Sequence, residues 1–543
     1  MKKYAYILAA CAALVACAKE AVQEEFVNPS ESNVNTVTFK ATIEAPTKGT
    51  VANNGAFTWN DTDEIAVWTS AQKRTATATN ISGSTAEFTF TLGEGETISD
   101  GAIVVYPANL LTANATVTFP TAYTAAEAAA SNLALAAEVD GSNLAFKYLG
   151  GVIEATITDV PSIASAIEVT STSVLTGDHT VTFSAGVPSM ATSSTAKTVT
   201  VTPTAGSNTI VLPLPTSANN QGITFAVKQS STELYSRTAT KDVARAAYFK
   251  MSDLTINPDV YIIADFTDWT YSSACTLTGS GTTRSATLVS GNDKYYRYVL
   301  DFGSVQVDMG PSSDGSTSLS ESFVTSSNAS KISSYGCYDF TFDYTTNLNS
   351  VSASATNPQI YLTGSFQASA WSLNSDTPLT MVNEAEGYKV MDISASSSLK
   401  AYTNPFWNAA FPSGDLVLDT ANYYIIVANA SSETLQGVYA DATSSSASSM
   451  VVKGDFDSWG DGLSMTQVDA SPFWYVDVDW DSETQFKFVK NSSTWMANGG
   501  SYYSSVSISW SGDGNVIVPS GKYRIIGSEN QDTYGSFAIL SLD

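Results

Sequence analysis

The sequence predicts an all-β protein built of tandem β-sandwich domains. Three observations point there. Only 14% of residues are charged, and Ser and Thr fill most polar positions beside Val, Ile, Tyr, Phe and Trp, types that suit a pleated, half-buried surface. Short runs alternate apolar and polar residues between turn signals, as in Val37-Thr-Phe-Lys-Ala-Thr-Ile43. The last part of the chain repeats with a spacing of one small sandwich per unit. A length of 543 residues fits three to five domains of roughly 100–200 residues each.

The chain opens with Lys2 and Lys3, an apolar run from Ala5 to Ala16, and Cys17. That is the layout of an export signal, and the run is shorter than the roughly 20 residues that a spanning helix needs. Leu14-Val15-Ala16-Cys17 resembles the lipobox of bacterial lipoproteins. The resemblance implies a signal peptide over 1–17, cleavage before Cys17, acylation of that cysteine and a lipid tether with the body in water; the expected location is the outer membrane, at the cell surface or on the periplasmic face. Residues 18–35 are polar, acidic and aperiodic, as a flexible tether is. Glu20, Glu24 and Glu25 resemble the surface-export signals of Bacteroidetes lipoproteins, and read equally well as part of a solvated linker. The Ala-rich stretch Ala122–Ala137 is broken by Glu127, Ser131 and Asn132, and predicts a short helix or loop.

Twenty-five Lys+Arg against 52 Asp+Glu give a net charge of −27. Phosphate contacts need cations, so this charge argues against a nucleic-acid partner, and it repels anionic lipid, leaving the anchor to hold the membrane. Cys275 and Cys337 remain after Cys11 and Cys17 are set aside. They fall in one expected domain, and the sequence leaves open whether they form a disulfide or two buried thiols.

Residues 36–257 read as strands between turns, with Ile65–Trp68 following an acidic turn at Asn60-Asp-Thr-Asp63. Phe39-x-Ala41-x-Ile43, Thr47-Lys48, Trp59 and Asp63-Glu64-Ile65-x-Val67 resemble the opening of fimbrillin-family proteins of the Bacteroidales, and Leu144-Ala-Phe-Lys-Tyr-Leu-Gly-Gly-Val-Ile-Glu-Ala-Thr-Ile157 resembles that family's second signature. The resemblance implies two β lobes, 36–143 and 144–257. Polymerising members lose an N-terminal strand by cleavage after a basic residue, commonly arginine. This chain has no arginine before Arg74, which fits a tip, anchor or non-pilus surface protein better than a repeating pilus subunit.

Three units follow, 258–357, 358–449 and 450–543. Tyr261-Ile-Ile-Ala-Asp-Phe266-Thr-Asp-Trp269, Tyr361-Leu-Thr-Gly-Ser-Phe366-Gln-Ala-Ser-Ala-Trp371 and Val451-Val-Lys-Gly-Asp-Phe456-Asp-Ser-Trp459 share a strand, a small or acidic turn, a Phe and a Trp. The closing segments Pro519-Ser-Gly-Lys-Tyr-Arg-Ile-Ile526 and Asp419-Thr-Ala-Asn-Tyr-Tyr-Ile-Ile426 align, with Gly336-Cys-Tyr-Asp-Phe-Thr-Phe342 a looser match.

Catalytic groups are scarce. The single histidine, His179, sits at a turn into a strand, so neither a triad nor a histidine-rich metal site can be assembled. Asp477, Asp479 and Asp481 alternate along a strand as one solvated face would. Asp455-x-Asp457-x-x-x-Asp461-Gly is loosely similar to a calcium loop, but Trp459 stands where a third ligand belongs, and the segment reads as a turn. No cofactor or metal is implied.

The aromatic signal is stronger. Eight of the ten tryptophans lie beyond residue 257, five of them in the last unit, more than so small a core needs. An exposed ring beside hydrogen-bonding groups suits a sugar, whose C–H face stacks while its hydroxyls pair. In Gln485-Phe-Lys-Phe-Val489 alternation sends Phe486 and Phe488 inward and Lys487 outward, with Trp495 in the following turn. Leu399-Lys400-Ala401-Tyr402 and Trp407 repeat the device, whereas Val305-Gln-Val-Asp308 in the first unit lacks it. Gly454-Asp-Phe-Asp-Ser-Trp459, Phe486-Lys-Phe488 with Trp495, and Gly521-Lys-Tyr523 resemble the SusE/SusF-type glycan-binding domains of Bacteroidetes surface lipoproteins. The match is good for 450–543, fair for 358–449 and weak for the degenerate unit 258–357. It implies immunoglobulin-like or starch-binding-like sandwiches, and polysaccharide or glycoconjugate capture without catalysis at Trp459, Lys487, Trp495, Trp371, Lys400 and Trp407. The alternative is a fimbrial tip or accessory subunit whose partners include fimbrial subunits.

Overall fold

The computed structural model describes residues 35–44, 58–130, 133–215, 222–240, 243–393, 396–440, 445–529 and 534–543. The signal segment, the Cys17 lipidation site, the tether up to residue 34 and the Thr47-Lys48 motif lie outside these residues. The regular structure of the described chain is nearly all strand, as the composition predicts, with one five-residue α-helix, Ala125–Ala129, and a few short 3-10 turns. That helix falls within the Ala-rich stretch. Thr124 caps it and Glu127 completes the capping box, and the chain returns to strand at Leu135–Asp140.

The first lobe closes into a barrel. Asn35–Ile43 lies between Thr85–Leu92, antiparallel, and Asn143–Tyr148, parallel, so the first strand is the seam that removes the sheet's free edges. Alternation puts Phe39 and Ala41 inward against Phe88, Phe90 and Phe146. Trp59 packs edge-on against Phe88, Tyr106 and Phe146, with centroids 4.9, 5.3 and 5.5 Å away.

The second lobe is built on the long strand Gly150–Val160, antiparallel to Gly206–Pro215. Two short strands that precede residue 143 pair with it rather than with the barrel: Thr116–Phe119 with Gly177–Ser184, and Ala122–Thr124 with Thr198–Thr202. The sheets therefore interleave across the lobe boundary expected near residue 143. Glu44 ties the lobes together, accepting from the Arg245 guanidinium and from Tyr148 N–H at 2.7 Å.

The three outer units share a plan. In 258–357, the sheet carrying Asp259–Ala264 and Lys294–Asp301 faces one carrying Thr283–Ser290, Gly336–Asp343 and Leu348–Ala353. Their core stacks Tyr298 on Phe342, centroids 4.7 Å apart. Both cysteines of this unit are free thiols, so no disulfide is made. Cys275 is buried in the core beside Ser272, its sulfur 3.3 Å from the hydroxyl, while Cys337 is half-buried on the opposite sheet.

Each unit closes with a buried tyrosine whose hydroxyl donates to the carbonyl four residues upstream: Tyr338 to Ser334, Tyr424 to Thr420 and Tyr523 to Pro519, at 3.0, 2.9 and 3.1 Å. The closing segments thus align one residue away from the sequence match, which set Tyr423 against Tyr523; Tyr424 faces the unit's own core, whereas Tyr423 is half-buried against the core shared with the last unit. The last two units also share a core, in which Tyr388, Ile425, Val427 and Val438 meet Phe473, Ile526, Ala538 and Leu540.

Candidate glycan site on the outer units

The site is built on the turn that ends the first strand of each unit. In the last unit Met450–Gly454 runs into a 3-10 turn, Asp455–Asp457. A Cβ on Gly454 would meet the Gln485 carbonyl at 2.2 Å and the Phe456 ring at 2.8 Å, so only glycine lets the strand and ring pack this closely. The Asp455 carboxylate accepts Gln485 N–H at 3.1 Å, and the Asp457 carboxylate accepts Gly454 N–H and Gly462 N–H at 3.3 and 2.6 Å. These carboxylates therefore hold the turn, as its reading as a turn expects. Among the described residues no group of three His, Cys, Asp or Glu side chains converges to hold a metal, and no helix is long and apolar enough to cross a membrane.

The tryptophan that ends each turn is held with positive φ: 52° for Trp269, 62° for Trp371 and 62° for Trp459. A bulky residue rarely adopts this conformation, which costs on the order of 1–2 kcal/mol. In each case the tryptophan's backbone N–H donates back to the end of the strand, to the Ala264, Gly364 and Gly454 carbonyls at 3.1, 3.1 and 2.7 Å.

In the last unit Trp459 meets Trp495, ring centroids 6.1 Å apart and planes tilted by 43°. Trp495 is in the strand Thr494–Ser504 just past the turn, opposite Val489, and is 45% exposed. Lys487 lies on the neighbouring strand. Its register partner is Lys453, whose ammonium sits 5.8 Å from the Trp495 centroid and donates to the Gly460 carbonyl at 2.5 Å. The other tryptophans of this unit divide between roles: Trp474 and Trp480 are buried, and Trp510 is exposed beside Tyr502.

The middle unit repeats the pair. Trp371 meets Trp407 at 6.3 Å and 50°, and Trp407 is 47% exposed. Lys400 occupies the place of Lys487, opposite Thr363. It differs in being spent within the fold: its ammonium donates to the Pro412 and Ser413 carbonyls at 2.7 and 2.8 Å and lies 3.9 Å from Asp415. Trp407 begins the short turn Trp407–Ala409, whose N–H groups are received by Asp268 of the preceding unit.

The first unit carries the cation after all. Ile263 pairs with Arg297, in the same relation as Thr363 to Lys400 and Lys453 to Lys487. The sequence comparison with Val305–Asp308 took the next strand instead; Tyr296-Arg297-Tyr298 is the true counterpart of Phe486-Lys487-Phe488, with the same inward–outward–inward alternation. No second tryptophan joins Trp269. Arg297 lies over its ring instead, and the Trp269 indole N–H is bound to Asp265 at 2.9 Å.

No family model matches the sequence, and no curated protein matches it. Among solved structures, SusF from Bacteroides thetaiotaomicron overlays with 12% identity and a TM-score of 0.18, covering 72% of this chain and 100% of that one. A candidate cell adhesion protein from Bacteroides ovatus gives 14% identity and a TM-score of 0.26 over 41% of this chain and 93% of its own. A second, from Bacteroides fragilis, gives 12% and 0.22 over 40% and 93%. Overlays this loose assign no function.

Proposed function

We propose that the protein is a non-catalytic lipoprotein, anchored through Cys17 at the outer membrane, that captures glycans through its outer β-sandwich units. The observation that carries this reading is the recurrence of a tilted tryptophan pair, Trp459 with Trp495 and Trp371 with Trp407, each with one ring about half exposed. Two non-parallel indoles offer successive faces to a curved or twisted sugar chain. A π-face contact is worth roughly 0.5–1.5 kcal/mol beyond burial, so each site is weak and tandem sites gain through avidity.

The test is polysaccharide retention by the full chain carrying Trp495→Ala, Trp407→Ala or both. Each single change lowers affinity about twofold to tenfold, as loss of one stacking contact would, with little change in melting midpoint. If the variants unfold, these tryptophans act as core residues; if they bind like the parent, the rings do not touch the glycan; in either case the site assignment fails.

A second reading, a fimbrial tip or accessory subunit, is favoured by one observation. The first strand, Asn35–Ile43, is the seam of the barrel, so its removal would open a groove between Thr85–Leu92 and Asn143–Tyr148. Surface protein whose N-terminus begins beyond Ile43 would select this reading.

A further inference from the structure

The three units place different residues on one register pair, and the difference bears on which sugars the last unit takes. The pairs are Ile263 with Arg297, Thr363 with Lys400, and Lys453 with Lys487. In the first two a single cation stands opposite an uncharged residue and is answered by a carboxylate, Asp308 at 3.4 Å from Arg297 and Asp415 at 3.9 Å from Lys400. In the last unit two lysines are direct cross-strand neighbours, an arrangement that is destabilising in a sheet unless a counter-charge is supplied.

No such counter-charge is supplied among the described residues. Among the described residues no ion pair forms with Lys453 or Lys487, and Lys487 makes no hydrogen bond. The carboxylates of the adjoining turn face the backbone, Asp455 engaged by Gln485 N–H and Asp457 by Gly454 and Gly462 N–H. Asp461 is exposed. In a chain with 52 acidic residues against 25 basic ones, an uncompensated lysine pair beside two indoles is a local reversal of charge. Lys453 reaches the Trp495 ring itself, so an anionic substituent on a sugar stacked there falls within reach of its ammonium.

We propose that the last unit's site takes an acidic glycan, with the sugar ring on Trp459 and Trp495 and its carboxylate or sulfate between Lys453 and Lys487. This rests on the glycan reading of the same site. The middle unit, with Thr363 in place of Lys453 and Lys400 already neutralised, takes an uncharged sugar.

The experiment uses the full chain and two matched pairs of probes: oligogalacturonate against its methyl ester, and dextran sulfate against dextran. In the parent, the charged member of one pair binds roughly fivefold tighter than its neutral counterpart, the scale that two half-exposed ion pairs supply, and the preference fades as salt is raised. The pair that shows it separates carboxylate from sulfate. Lys453→Thr and Lys487→Thr each reduce the preference without lowering the melting midpoint, and Trp495→Ala weakens binding of the charged probe several-fold, as loss of one stacking contact would. If neutral probes bind with sensitivity to Trp495→Ala while no charge preference exists, or if the preference survives both lysine variants, the inference is overturned and the glycan reading stands. If no probe binds, or binding ignores Trp495→Ala, both fall.

Discussion

The guanidinium carbon of Arg297 lies 5.0 Å from the centroid of the Trp269 ring. It covers that ring more closely than Lys453 covers Trp495, at 5.8 Å, and unlike Lys453 it is held in place by a carboxylate, Asp308, and by the Ser327 carbonyl. The first outer unit therefore carries the turn and the cation of the other two, but closed on itself. Trp269→Ala should leave glycan affinity of the full chain unchanged, in contrast to Trp407→Ala and Trp495→Ala. A loss comparable to theirs, read by affinity electrophoresis, would show that Arg297 swings aside and that the unit binds.

The closing tyrosines give a stability prediction. Tyr523 is buried and its hydroxyl donates to the Pro519 and Ser520 carbonyls at 3.1 and 3.0 Å. Tyr523→Phe keeps the ring in the core and removes only the hydroxyl, so it should cost about 1 kcal/mol. Because the last two units share a core through Tyr388 and Phe473, the loss should appear in one joint urea transition of both units. Separate transitions, with only the last unit shifted, would mean that the shared face does not couple them.

Two carboxylates should give opposite pH responses. Glu96 is pulled from its ordinary 4.5 down to about 2 by hydrogen bonds from Arg74 first, then from Thr69 and Gly93 N–H. Its stabilisation of the barrel is present above pH 4.5 and is lost as pH falls through about 2. Glu386, at the joint of the last two units, is raised above 4.5 chiefly by burial, although Tyr503 donates to it at 2.5 Å. Its contribution is present below pH 4.5 and is lost as pH rises through its folded value. Glu96→Gln should flatten the acid limb of barrel unfolding, and Glu386→Gln should flatten the decline of the outer units toward neutral pH. Unchanged pH profiles in urea titrations would refute either assignment.

How much of this was legible in the sequence depends on what each residue had to declare. Phe486-Lys-Phe488 announced its faces by alternation, and the Phe and Trp spacing marked the turns. Lys453 was missed because its role comes from a register partner 34 residues away, which no local pattern encodes. Arg297 is hidden in the sequence because Tyr296 and Tyr298 flank it where the later units have Phe or aliphatic residues, and the next strand, Gln306–Gly310, alternates in the same way. At Tyr423 and Tyr424 consecutive tyrosines look alike in sequence, yet a shift by one exchanges the two faces of the strand, here the unit's own core and the core shared with the last unit. The strands Thr116–Phe119 and Ala122–Thr124 paired across the lobe boundary for a similar reason, since β pairing is non-local and a strand does not name its neighbour.

The last prediction concerns the joint between the first and middle outer units. Asp268 belongs to the Trp269 turn, yet its two carboxylate oxygens accept Trp407 N–H at 3.1 Å and Asn408 N–H at 2.5 Å across the joint. Asn404 adds a second clasp, donating to the Val289 carbonyl at 2.6 Å and accepting Val289 N–H at 3.2 Å, and Phe406 packs into the first unit's core. The orientation of Trp407 toward Trp371 thus depends on a carboxylate that is outside the pair itself. Hydrogen bonds to an ionised acceptor are worth roughly 1.5–3 kcal/mol, enough to fix a short turn. Asp268→Ala should therefore weaken glycan binding by the middle unit several-fold, while Asp268→Asn, which keeps one acceptor oxygen, should restore part of it. Measured in a Trp495→Ala background, the middle site is read without the last one. A merely structural role would lower the melting midpoint in both Asp268 variants and leave affinity at temperatures well below it untouched. That outcome would separate the clasp from the orientation of Trp407.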